Sequence, residues 1–173
     1  MTHLISSILH ISWVDRIRRN HGLEHATLHV LSQRYPRQPM AGRSSTWGFW
    51  LIGEVPTEAV TSAVQEALAR LKAGERHLAV HPNCGTNFAT SGTLAGVAGA
   101  MAMFGAGQRL RDKLERLPLA ASFATLALII SQPLALSVQA HITTSGVPGD
   151  LEVARIASMR RGGIQAYQVF TKG

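Results

Sequence analysis

Hydrophobic positions recur with two different periods, and two long stretches carry no charge at all. Val60, Val64, Leu68 and Leu71 fall on one stripe at helical spacing, and Gly74 follows as a stop, which predicts a helix over Thr57 to Lys72. Ser12 with Asp15 three residues later offers a capping box, and a helix is predicted from there to about Leu31. Ser45 to Glu54 is rich in aromatics and β-formers and reads as one strand; His77 to Val80 reads as a short one. Leu151–Met159 and Ile164–Thr171 read as two strands turning at Gly162–Gly163. Between these polar parts, no charged residue occurs from Pro82 to Gln108 or from Leu117 to Gly149. Each run exceeds the ~20 residues a helix needs to cross a bilayer core. The charged loop Arg109–Arg116 joins them, so a two-helix transmembrane hairpin is expected. Within it, Gly92 and Gly96 form a G-x-x-x-G pair suited to close helix approach. The alternative is two buried helices of a soluble protein.

The fold expected is therefore α+β, a small mixed domain interrupted by the hairpin. Residues 1–86 would form the first part of the polar domain, 87–141 the hairpin, and 142–173 the strands that return to complete the sheet. At the N-terminus, Leu4, Ile5, Ile8, Leu9 and Trp13 suit an interfacial helix anchored by Arg16, Arg18 and Arg19, or equally a core-packing helix. The N-terminus reads as a poor signal peptide, because there is no basic n-region and arginines stand where small residues should.

Charge changes the picture modestly. Among 173 residues there are 17 Lys+Arg and 10 Asp+Glu, a net charge of +7. No single helix or strand carries a basic stripe with interleaved aromatics, so the bilayer rather than nucleic acid is the expected anionic partner. Near the apolar runs, Arg70, Lys72, Arg76, Arg155 and Arg160 outnumber Arg109, Arg111, Lys113 and Arg116, which puts the polar domain in the cytoplasm. A single cysteine, Cys84, excludes an internal disulfide.

Chemistry concentrates in two blocks. In His21-Gly22-Leu23-Glu24-His25, a helix would set both imidazoles on one face, one turn apart, with Glu24 beside them. Two such histidines can share a metal ion while the carboxylate serves as general base, Glu24 being the catalytic candidate. Ile17 and Leu28 share that face, and His29 drifts from it. The second block is His81-Pro82-Asn83-Cys84-Gly85-Thr86-Asn87, at the entry to the first apolar run. His81 would be the third ligand, with Cys84 as a further possibility, and the amides of Asn83 and Asn87 could orient a substrate carbonyl. The alternatives are satisfied structural histidines in the first block, and a turn with Thr86 or Asn87 as N-cap in the second.

HGLEHAT together with HPNCGTN, and Met40–Ser45 as an LAGRSS-like stretch, resembles an uncharacterised family of bacterial membrane proteins of unknown function. That resemblance implies a bacterial origin and supplies no activity. H-x-x-E-H also resembles the signature of the inverzincin zinc proteases, which implies zinc and a peptidase activity. For the distal glutamate ligand of that family, Glu66 and Glu75 are the available residues. Three functions follow. The first is a membrane-associated zinc hydrolase, a peptidase acting on a peptide or protein. The second is a thiol enzyme with Cys84 as nucleophile and His25 or His81 as base. The third is a non-catalytic subunit or assembly factor of the bacterial inner membrane, packing through Gly92–Gly96 on a partner helix or a second copy.

Overall fold

The computed structural model describes Ser7, Leu9 and residues 11–173, the side chain of Arg161 excepted. Leu4, Ile5 and Ile8 of the expected interfacial helix lie outside the described residues; Ser7 and Leu9 are helical. The chain is α+β and divides into two compact units, Met1–His81 with Ala140–Gly173, and Pro82–Gln139.

In the first unit, α1 (Ser12–Arg34) starts without a side-chain cap; its N-cap is Ile11. The Ser12 capping box does not form because Asp15 reaches forward instead, to Arg19 at 2.9 Å. The helix outruns Leu31 and ends at Arg34, just ahead of Pro36. The expected single strand over Ser45–Glu54 is a hairpin, β1 (Ala41–Ser45) against β2 (Gly48–Ile52), turning at Thr46–Trp47. Gly48, at φ +133°, lets the strand that follows on the far side of β2 come close: a Cβ there would stand 1.9 Å from the carbonyl oxygen of Val169. Helix α2 (Thr57–Lys72) has the expected bounds. His77–Val80 is not a strand; Arg76–Ala79 form a 3-10 turn. A short apolar run suits either form, and here the turn leaves the carbonyls of Ala79 and Val80 for histidines of α1.

Strands β3 (Glu152–Arg161) and β4 (Ile164–Lys172) complete an antiparallel sheet of order β1-β2-β4-β3. The core fills the space between one sheet face and α1 and α2. Leu23, Val30 and Leu31 from α1 meet Val60, Val64 and Leu71 from α2, over Phe49, Leu51, Tyr167 and Val169 from the sheet. Burying each such side chain contributes ~1.5–3 kcal/mol. The Tyr167 hydroxyl donates to Val55 O, so this buried phenol is satisfied.

The second unit is a helix pair, α3 (Gly85–Met103) and α4 (Leu110–Val138), the latter running on through a π turn at Gln139–Thr143. Among the described residues one helix, Leu110–Thr143, is long and apolar enough to cross a membrane, with 11% of its apolar window buried. The expectation of two such helices fails on α3, whose first half carries Thr86, Asn87, Thr90, Ser91 and Thr93. The pair packs through Gly99, which lies against Ala120 O and Ala124, rather than through Gly92 and Gly96, where an added Cβ would meet nothing within 4 Å.

Candidate functional site

Helix α1 carries His21 and His25 one turn apart, as the spacing requires, with ring centroids 4.4 Å apart and planes at 60°. What fixes these rings is backbone from distant parts of the chain. His25 Nδ1 lies 2.8 Å from Ala79 O, and His21 Nδ1 lies 2.9 Å from Thr143 O. A carbonyl oxygen only accepts, so each Nδ1 carries the hydrogen and donates it. In the neutral ring, Nε2 is then the nitrogen with the lone pair. Metal-ligating histidines are commonly oriented in this way. His29 is held in the opposite sense: its Nε2 donates to Val80 O at 2.8 Å, so the lone pair is on Nδ1. His81 lies beside both, its ring centroid 5.7 Å from His25 and 5.0 Å from His29.

Gly22 explains how the 143–145 segment comes so near. A Cβ at Gly22 would stand 2.0 Å from Ser145 O, so only glycine admits this backbone. Ser145 N donates to Arg18 O at 2.9 Å, and the Arg18 guanidinium donates to the carbonyls of His141, Ile142 and Thr144. Arg18 thus ties down a chain segment. Arg16 does likewise, donating to Thr46 O, Thr171 O and Gly173 O.

Glu24 is 3% exposed and its carboxylate accepts a hydrogen bond from the Ser44 hydroxyl of β1. A Cβ on Gly42 would meet the carboxylate at 2.3 Å, so that glycine makes room for it. One turn earlier, buried Asn20 donates to Ser45 O at 2.8 Å and accepts from the Thr171 hydroxyl at 2.7 Å. The Met40–Ser45 stretch, noticed in the sequence without a role, is therefore the strand that seats Glu24. Ser44 escaped the sequence reading because nothing in a polar AGRSS segment signals a partner 20 residues away.

The second block behaves as a turn and cap. Cys84, not Thr86 or Asn87, is the N-cap of α3, and its Sγ accepts from Thr86 N at 3.4 Å. Asn87 is buried and its amide donates to Pro82 O at 2.9 Å, closing the turn. Asn83 is exposed. Glu66 pairs with Arg34 and Arg70, and Glu75 with Arg70, so both candidates for a distal glutamate ligand are engaged by guanidinium groups. The hydrogen bond from Arg70 holds the Glu75 carboxyl below its ordinary range.

Residues 16–156 match the family model described as "Domain of unknown function (DUF6391)". An uncharacterised protein of Picosynechococcus sp. is similar at 37% identity over 150 residues, 81% of this chain and 71% of that protein. No solved structure matches. Since the family model spans most of the chain, and with it the histidine helix, β1 and the apolar helix, this protein belongs to the DUF6391 family of unknown function.

Proposed function

We propose that the protein is a metal-dependent hydrolase of the membrane surface, with zinc as the metal and a peptide bond as the target. The donor set would be His21 and His25, with His81 beside them as third ligand. Three imidazoles suit zinc. The observation that carries the reading is the pair of bonds from His21 and His25 Nδ1 to backbone carbonyls, which leaves both Nε2 atoms as lone-pair donors from one helix face. A bound divalent ion would supply Lewis-acid polarisation of a carbonyl and acidify a water. Glu24 would take a water proton and pass it to the leaving amine, oriented by Ser44 as a base is oriented by a third group.

We propose further that α4 spans the bacterial inner membrane with α3 packed along it. The 22 residues Leu117–Val138 cover ~33 Å, and Ile129 and Ile130 are exposed side chains that lipid would cover. The arginine balance favours the polar unit on the cytoplasmic side.

Metal analysis of the detergent-purified protein tests the site. About one equivalent of zinc is expected, lost in His21→Ala and His25→Ala variants that remain folded by circular dichroism. A metal-free wild type, or one whose metal survives His25→Ala, ends this reading. The thiol alternative separates cleanly: Cys84→Ser would abolish activity that persists in metal-stripped protein.

A further inference from the structure

The sheet face turned away from α1 and α2 has a composition that neither the core nor the histidine site explains. Register places Arg43 beside Trp50 and Gln168, and one row on, Arg155 beside Phe170. Trp50 and Phe170 are diagonal neighbours on adjacent strands, close enough to form one aromatic patch. The Arg155 guanidinium lies 4.5 Å over the Phe170 ring. Neither Arg43 nor Arg155 makes an ion pair among the described residues, and both are exposed; the carboxylate on this face, Glu152, is matched by its cross-strand partner Lys172 at 2.9 Å. Two uncompensated guanidinium groups thus flank two half-buried rings on an open antiparallel sheet.

We propose that this face rests on the surface of an anionic bilayer. Charge complementarity selects an anionic partner, and rings with one apolar face and one polar edge are at home at the headgroup level. A helix of the same chain is long and apolar enough to enter a bilayer, which would keep the sheet near that surface at high effective concentration. The inference concerns the first unit and stands apart from the metal chemistry.

The test uses the full chain with Trp13 and Trp47 replaced by Phe, leaving Trp50 as the sole tryptophan of the three. It is reconstituted with phosphatidylcholine vesicles, or with mixed phosphatidylcholine–phosphatidylglycerol vesicles, with and without brominated acyl chains. Trp50 should be quenched by brominated lipid in the anionic vesicles and far less in the neutral ones. The ratio of bound to unbound face should fall about fivefold for each of Arg43→Gln and Arg155→Gln, and should fall with added salt. Retention of the chain in neutral vesicles reports α4 separately, so a failed span and a failed face give different results. Equal quenching in both lipids, or none in either, overturns the proposal. So does shielding of Trp50 from acrylamide by single-stranded RNA but not by phosphatidylglycerol, or quenching that depends on protein density as a second copy would require.

Discussion

Gly22 sits in mid-helix, where glycine weakens α1 by ~1 kcal/mol against alanine. It does so because Ser145 O occupies the place of its Cβ. Gly22→Ala therefore trades a small helical gain for overpacking against backbone, which costs about 1–3 kcal/mol. A lower melting temperature is expected, together with weaker metal retention, since the segment that moves also carries Thr143 O. A variant as stable as the wild type would show that the segment yields freely. Glu24→Gln separates base from ligand. It should keep the metal, while hydrolysis of a quenched peptide library falls by two to four orders of magnitude, on the order expected for loss of general-base catalysis. Ser44→Ala should lower turnover less and leave metal content unchanged, because Ser44 acts through Glu24. Metal loss in Glu24→Gln would make the carboxylate a ligand and retire it as a base.

At the scale of elements, α4 is the most legible piece of the chain. Its apolar run needs no tertiary context, because only composition and length decide whether a helix suits hydrocarbon. Ser122 and Ser131 return their hydroxyls to Pro118 O and Leu128 O, so neither hydroxyl burdens the helix surface. Carbonate-washed membranes should retain the protein; quantitative release into the wash would refute the span. Helix α2 was equally plain, since Val60, Val64 and Leu71 are buried where their stripe predicts. Strand β1 was not. AGRSS has little intrinsic preference for a strand, and it is held as one by its ladder to β2 and by Asn20 and Glu24 reaching up from α1.

For the molecule as a whole, surface ion pairs close the first unit. The Arg19 side chain holds Asp150 below its usual pKa, Arg70 does the same for Glu75, and Lys172 for Glu152. Depressed carboxyl values stabilise the fold fully above the ordinary carboxylate range and progressively less as pH falls through the folded values. Thermal stability should thus be flat from neutrality to about pH 5 and decline below about pH 4, with a smaller decline in Glu75→Gln. An unchanged acid limb in that variant would show the pair to be inert. The sequence by itself determined the helices whose burial follows a single period, the β3–β4 hairpin around Gly162–Gly163, the apolar helix, and the pairing of His21 with His25. Each of these depends on residues within a few turns of one another. Tertiary structure alone decided the tautomers of the histidines, the seat of Glu24 under Gly42 and Ser44, and the use of Arg16 and Arg18 as backbone clamps. Those outcomes rest on carbonyls and hydroxyls supplied from 20 to 157 residues away. Every residue offers the same carbonyl, so no pattern along the chain announces which one an imidazole or guanidinium will find.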